Sequence, residues 1–195
     1  MKNKLVFGVG INDADYVIKK SLSYIEDGKR KRKQLWACPY YNKWSSMLTR
    51  CYSSKFLQKN PTYKGCSVCQ EWLTFSNFKA WMETQDWEGK QLDKDILLIN
   101  NKIYSPETCV FVEQKVNLFL NDLCVGNIGS CWNSKANKYM AQCSDGKGGN
   151  KTLGLFDTAE EAHLAWKKAK HDIAIELSYN QSDIRIREIL LNRYA

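Results

Sequence analysis

The chain has 195 residues, 44% of them hydrophobic and 12% aromatic, which is enough apolar material for one large or two small domains and excludes global disorder. Its formal net charge of +8 favours an anionic partner, most often nucleic acid; a basic surface without such a partner is the alternative. No segment approaches the roughly 20 apolar residues of a membrane helix, and no signal-peptide pattern opens the chain. We therefore expect an intracellular protein without membrane contact, whose eight cysteines are thiols or metal ligands rather than disulfides.

The first segment, residues 1–35, has an apolar, strand-like start and ends in a run of five cations. These are Lys29, Arg30, Lys31, Arg32 and Lys33. Because consecutive like charges repel one another, the run predicts a solvated loop or arm. It either lies along DNA phosphates or is simply an exposed connector.

The middle segment, residues 36–122, carries most of the aromatic residues. Two sets of apolar residues recur there at helical spacing: Trp44, Met47, Leu48 and Cys51, and then Trp72, Phe75, Phe78 and Met82. Both patterns predict amphipathic helices that pack into a compact core. Short extended pieces at residues 92–101 and 109–112 follow, and an amphipathic stretch at residues 113–120 closes the segment.

Cysteines in the middle segment raise the question of a structural metal. Cys66 and Cys69 have the spacing of a zinc knuckle, but one such pair supplies only two ligands. Cys38, Cys51 and Cys109 are candidates for the remaining ligands of a Zn²⁺ ion. The alternative is that all of these thiols are free and buried among the aromatic residues.

The last segment, residues 123–195, predicts three strands, a helix and a short helical or extended tail. The strands are expected at residues 128–133, 138–144 and 151–156, and the helix begins with Asp157 or Thr158 as its N-cap. The helix has one apolar stripe: Ala162, Trp166, Ala169, Ile173 and Leu177. This pattern predicts a three-stranded antiparallel sheet with one helix packed on one face, which leaves the other face open.

The open face of that sheet and its turns are the predicted DNA contact. We assign to it Trp132, Lys135, Lys138, Gln142, Lys147 and Lys151. The lysines would meet phosphates, and Gln142 could address a base edge. The alternative is a small α+β packing module without a ligand.

The same segment resembles the Apetala/ethylene-response-factor type of DNA-binding domain. The resemblance is carried mainly by Leu153, Gly154, Phe156, Asp157, Thr158, Glu160, Glu161 and Ala162. Ile128, Cys131 and Ser144 occupy positions where the plant domains have base-reading arginines. The resemblance therefore implies the fold and a positioning role on DNA, with modest sequence preference.

The middle segment is similar to bacteriophage proteins of the HNH endonuclease type, which are often joined to such a domain. The matching residues are Trp44, Met47, Leu48, Arg50, Cys51 and Tyr52; Cys66, Cys69, Gln70, Glu71 and Trp72; Phe75, Phe78 and Trp81; Leu92, Asp93, Lys94, Asp95 and Ile96; and Asn101, Lys102, Tyr104, Ser105, Pro106, Thr108 and Cys109. Residues 8–16 resemble the start of these proteins. The resemblance implies an α+β fold with an HNH-like, ββα-containing middle module, and it adds Cys51, Cys69 and Cys109 to Cys66 as a zinc set.

An HNH nuclease uses one divalent metal, here Mg²⁺ or Mn²⁺, and a histidine general base. The position of that base is Lys94, because the two histidines of the chain, His163 and His171, belong to the last segment. Lys94 would need a strongly lowered pKa to act as a base. The remaining candidates for metal ligands are Asp93 and Asp95, with Asn101 and Asn117 as polar supports.

Three functions follow as expectations. The first is a phage homing or nicking endonuclease acting on double-stranded DNA. The second is a catalytically degenerate, DNA-binding regulatory or counter-defence protein on the same scaffold. The third is a protein-interaction module whose partner is a host factor in the host cytoplasm.

Overall fold

The computed structural model describes residues 5–120, 129–144 and 149–195. It divides into two compact units, Met1–Val112 and Glu113–Ala195. Each unit combines helices with small sheets, so the α+β expectation is confirmed. The sequence-based boundaries were instead placed after residues 35 and 122. Within the described ranges, no helix has the length and apolar character needed to cross a membrane.

The first unit consists of short elements around an aromatic core. Its strands are β1 Lys19–Glu26, β2 Lys29–Ala37, β3 Ser67–Val68, β4 Gln91–Asp93, β5 Ile103–Tyr104 and β6 Val110–Val112. Its helices are α1 Pro39–Tyr52, α2 Ser54–Lys59 and α3 Phe75–Glu83, with single 3₁₀ turns at Pro61–Tyr63 and Glu71–Leu73. β1 pairs with β2 and β4 with β6 in antiparallel fashion, whereas β3 and β5 are parallel.

The core of this unit is built by the two helices that the apolar spacing predicted. α1 begins with a proline, whose fixed φ suits the first helical position, and buries one face. α3 buries Phe75, Phe78 and Met82. The indole nitrogen of Trp44 donates to the carbonyl of Trp72 at 2.7 Å, so this fully buried ring keeps its polar atom satisfied.

The cationic run is a strand, not the loop that was predicted. β1 and β2 form a hairpin whose turn residues Asp27 and Gly28 have φ of +53° and +69°. Two positive φ values are what a two-residue type I′ turn requires, and the Asp-Gly dipeptide is its sequence signal. Strand alternation sends successive cations to opposite faces, which reduces the repulsion that favoured a loop.

The second unit contains the predicted sheet and helix. Its elements are α4 Gln114–Leu120, β7 Ser130–Asn133, β8 Lys138–Ser144, β9 Asn150–Phe156, α5 Ala159–Tyr179 and α6 Ile184–Arg193. The sheet has the antiparallel order β7-β8-β9, and α5 packs on all three strands. The three-stranded sheet covered by one helix is therefore confirmed, and the tail is helical.

α5 begins as predicted but buries a different stripe. Thr158 is the N-cap, and with Glu161 it forms a reciprocal capping box. The buried positions recur every four residues: Ala162, Trp166, Lys170, Ala174 and Ser178. The predicted stripe members Ala169, Ile173 and Leu177 are only half-buried. A lysine thus occupies the centre of the buried stripe, where the sequence pattern favoured apolar residues.

Candidate functional site

A strongly basic, exposed surface is formed by β1, β2 and their Asp27–Gly28 turn, here called the basic hairpin. Residues 19–37 carry seven of the 29 lysines and arginines and only two acidic residues. All of β2 except Ala37 is exposed, and so is all of β1 except Ser21. Most of the excess charge of the chain is therefore displayed on one exposed element.

The register of the basic hairpin separates its cations into two faces, because directly opposed residues share a face. The lysine face consists of the pairs Leu22–Lys33, Tyr24–Lys31 and Glu26–Lys29. The arginine face consists of the pairs Ser21–Gln34, Ser23–Arg32 and Ile25–Arg30. The two kinds of cation are thus on opposite sides of one ribbon.

Polar contacts across the strands support each face. On the lysine face, Lys31 forms an ion pair with Glu26. On the arginine face, Nε of Arg32 donates to Oγ of Ser21 at 2.8 Å. Exposed pairs of this kind contribute about 1 kcal/mol at most. The basic hairpin therefore depends on its backbone ladder and turn, and both of its faces are open to solvent.

The open face of the second unit's sheet differs from the prediction. Ala141 and Cys143 of β8 are buried on the side that α5 covers, and Tyr139 shares this side by strand alternation. Residues of β7 and β9 that pair with these three therefore also lie on the helix side. Trp132 is opposite Tyr139, in edge-to-face contact at 5.0 Å, and Lys151 is opposite Cys143. Trp132 and Lys151 are therefore not on the open face, contrary to the prediction.

A bulge in β9 explains the position of Lys151. Ala141 is opposite Gly154, but the next residue of β8, Gln142, is opposite Thr152, so one residue of β9 is extra. An extra residue reverses the alternation of all side chains beyond it. The sequence pattern alone placed Lys151 on the wrong face for this reason.

What remains on the open face is less basic than predicted. Nζ of Lys138 is 2.9 Å from a carboxylate oxygen of Asp157, and Gln142 reaches Oγ1 of Thr152 at 3.5 Å. Lys135 is exposed in the turn between β7 and β8. The predicted contact Lys147 lies outside the described residues. The sheet therefore offers a mostly neutral polar face with a basic turn.

The structure brings together four of the five predicted catalytic residues at the end of β4. Oδ1 of Asp93 accepts the backbone N–H groups of Asp95 and Ile96 at 2.9 and 2.8 Å. Nζ of buried Lys94 donates to Oδ2 of Asp95 at 2.7 Å and to the carbonyl of Asn101 at 3.0 Å. The side-chain amide of Asn101 donates to the carbonyl of Lys94 at 2.7 Å. The fifth residue, Asn117, is half-buried on α4 in the second unit.

The electrostatics of this cluster contradict a general-base role for Lys94. Burial alone would lower the pKa of Lys94, but its hydrogen bond to Asp95 and the charge of that carboxylate raise the pKa above its ordinary value. Burial, followed by the charge of Asp95, raises the pKa of Asp93. A protonated ammonium cannot accept a proton from water, so Lys94 ties a loop together instead.

One oxygen of each carboxylate in this cluster is already occupied by hydrogen bonds. An oxygen of Asp93 already accepts two backbone donors, and an oxygen of Asp95 accepts the ammonium of Lys94. A second cation is near, because the pKa of Arg50 is affected by the charge of Asp93 and Nη1 of Arg50 donates to the carbonyl of Leu92 at 3.2 Å. Among residues 5–120, 129–144 and 149–195, no three histidine, cysteine or acidic side chains are grouped as metal ligands.

The four cysteines of the predicted zinc set lie in two pairs. The charge of Cys66 affects the pKa of Cys51, and the charge of Cys69 affects the pKa of Cys109. Burial is the main cause that raises the pKa of Cys51 and of Cys109 to about 12 each. Burial thus makes deprotonation of Cys51 and Cys109 unfavourable as long as no cation lies beside them.

We expect a maleimide to distinguish these thiols, because only the thiolate reacts. In the folded protein at about pH 8, exposed Cys131 should be labelled first, and Cys51 and Cys109 should stay unlabelled until denaturant is added. Peptide mass spectrometry after a time course gives the order. Bound zinc in the native mass spectrum, or rapid labelling of Cys51, would contradict the buried-thiol interpretation.

Three comparisons with known proteins found no match to this chain. No protein-family model matches the chain, and neither does a curated protein or a solved structure.

Proposed function

We propose that this protein binds double-stranded DNA through the basic hairpin and does not cleave it. The observation that carries the proposal is the concentration of cations on an exposed element with few acids. A surface of this kind attracts the phosphate backbone, because binding releases the counterions condensed on the duplex. An acidic protein surface lacks the dense, regular charge that a run of this length would match.

The spacing of the cations supports a duplex partner. Lysines on the lysine face recur every second residue, or about every 6.6 Å along the strand. Double-stranded DNA carries one phosphate charge about every 1.7 Å of helix axis, so phosphates are dense enough to meet cations at this spacing. Lys29, Lys31 and Lys33 can therefore each contact a phosphate.

The second unit would provide a further contact with modest sequence preference. Its sheet-and-helix architecture agrees with the resemblance to plant-type DNA-binding domains, and Lys135 and Gln142 are available on the turn and open face. We assign it a positioning role, because its open face carries few cations and Lys138 is paired with Asp157.

The cluster of Asp93, Lys94, Asp95 and Asn101 at the end of β4 supports the proposal that the protein does not cleave DNA. β4 and β6 pair in antiparallel fashion, with β5 between them in the chain, and α4 follows β6; this order of strands and helix agrees with the resemblance to an HNH-like module. At the position of the general base, however, Lys94 is protonated and bonded to Asp95. We propose that this cluster is a degenerate site in which an internal ion pair holds the loop after β4.

A salt titration with a charge-matched control tests the DNA-binding proposal. The variant Lys29→Gln, Lys31→Gln, Lys33→Gln should bind a duplex more weakly, with a salt slope smaller by about 3, because each phosphate contact contributes about 0.9. The control Lys55→Gln, Lys59→Gln, Lys64→Gln removes the same charge from other exposed positions and should leave the slope nearly unchanged. Equal weakening in both variants would mean diffuse attraction and contradict an interface on the hairpin.

Incubation with supercoiled plasmid and Mg²⁺ or Mn²⁺ tests the absence of cleavage. We expect no nicked product from the wild-type protein. Nicking that Asp93→Ala abolishes would establish an active nuclease and overturn the non-catalytic proposal. Absence of duplex binding at low salt, together with a stable host protein partner, would favour the interaction-module alternative instead.

A further inference from the structure

We infer that the basic hairpin enters the major groove of duplex DNA as a two-stranded ribbon, with its arginine face towards the base edges. The inference rests on the proposed function and adds how the duplex is recognised and which residues read it. It is carried by the register of the hairpin, which places different chemistry on its two faces.

The arginine face carries side chains suited to base edges. Arg30 and Arg32 have the planar donors that pair with guanine, Gln34 matches adenine, and serine pairs with several bases. Ile25 is 78% exposed and offers an apolar side chain of the kind that contacts the thymine methyl. The opposite face carries three lysines, whose long, flexible side chains would reach sideways to the phosphates that flank the groove, as point charges rather than as bidentate readers.

The dimensions of the two-stranded hairpin determine which groove of the duplex it can enter. Paired strands lie about 4.8 Å apart, so a two-stranded ribbon with its side chains fits the major groove of B-form DNA, about 12 Å wide, but not the minor groove, about 6 Å wide. The major groove of A-form RNA is too narrow and deep for side chains to read. The ribbon therefore fits DNA and excludes a base-reading role on double-stranded RNA.

One contact on the arginine face positions a reading group. Nε of Arg32 donates to Oγ of Ser21 at 2.8 Å across the strands. This bond restrains the guanidinium and leaves its two terminal amino groups for the paired acceptors of a guanine edge. Ser21 is therefore a positioning residue, and Ser21→Ala should weaken sequence preference while the salt slope stays the same.

The experiment separates sequence reading from charge. A preferred duplex is first selected from a random-sequence library with the full-length protein, and its affinity is compared with that of a scrambled duplex. Arg30→Lys, Arg32→Lys keeps all charges but should reduce the preference by about tenfold or more for each bidentate arginine–guanine pair that it removes. The matched variant Lys29→Arg, Lys33→Arg on the lysine face should keep the preference of the wild type.

Methylation of guanine N7, which lies in the major groove, supplies a second readout. It should interfere with binding of the wild-type protein at the preferred site and have no such effect on the arginine-face variant. Selection of no motif, a preference that survives Arg30→Lys, Arg32→Lys, or equal affinity for double-stranded RNA would overturn the inference while salt-dependent duplex binding still supports the proposed function. A wild-type protein that binds no duplex would overturn both.

Discussion

Replacing Lys170 with alanine should destabilise the second unit by about 3 kcal/mol, because it removes a buried side chain together with its hydrogen bond to a buried carbonyl. Lys170 is only 5% exposed, and its Nζ donates to the carbonyl of Phe119 at 2.8 Å. The ammonium also lies 3.9 Å from the ring centroid of Phe119 and near the rings of Trp166 and Tyr194. One cation thus joins α4, α5 and the residue that follows α6.

Lys170→Met is the matched control, because it keeps most of the volume of the side chain and removes only the donor and the charge. We expect it to cost about 1 kcal/mol, the value of one buried hydrogen bond. Amide hydrogen exchange along α5 and α6 measures the change within this unit, since the chain has two units and a single unfolding midpoint would mix them. Equal and small effects of both substitutions would show that the ammonium and the aliphatic part of Lys170 contribute little to the stability of the second unit.

Gly129→Ala should also destabilise the second unit by about 3 kcal/mol, through backbone strain and overpacking together. Gly129 has φ of +79°, a conformation that residues with a Cβ rarely adopt. A Cβ at this position would lie 2.0 Å from Cδ1 and 2.1 Å from Cγ of Trp166. Because Trp166 is buried beneath the sheet, its indole cannot move away without opening the core.

Gly65→Ala separates the two causes. Gly65 has the same φ of +79°, but nothing lies within 4 Å of a Cβ placed there. The loss of stability on Gly65→Ala should therefore come from backbone strain alone and amount to about 1 kcal/mol. Hydrogen exchange of α5 for Gly129→Ala, and of α1 for Gly65→Ala, gives the comparison. A Gly129→Ala effect no larger than that of Gly65→Ala would mean that the contact with Trp166 relaxes freely.

Local patterns were sufficient for much of the fold. The spacing of Trp44, Met47 and Leu48 predicted α1, and the N-cap candidates Asp157 and Thr158 predicted where α5 begins. Such features depend on residues three or four apart, so they are visible in the sequence. The Asp27–Gly28 dipeptide is a local turn signal as well, but like-charge repulsion predicted a loop at the cations that follow it, and the basic hairpin was not predicted.

The face on which a residue lies was decided by the tertiary structure. The bulge in β9 moved Lys151 to the helix side, and the pairing of β7 with β8 placed Trp132 there as well. Register and bulges arise from contacts between strands, which a periodic pattern within one strand does not contain. The register of the basic hairpin likewise decides which β1 residues share a face with the lysines and which with the arginines.

The chemistry of the candidate sites was also determined partly by the sequence and partly by the tertiary structure. The sequence by itself determined that Asp93, Lys94 and Asp95 are neighbours, that no histidine lies among them, and that the cations cluster before α1. Only the tertiary structure decided that Lys94 keeps its proton and that Lys170 is buried. The reason is physical: a charge is stabilised in the interior by partners that the fold brings from distant positions, such as the carbonyl of Phe119 for Lys170.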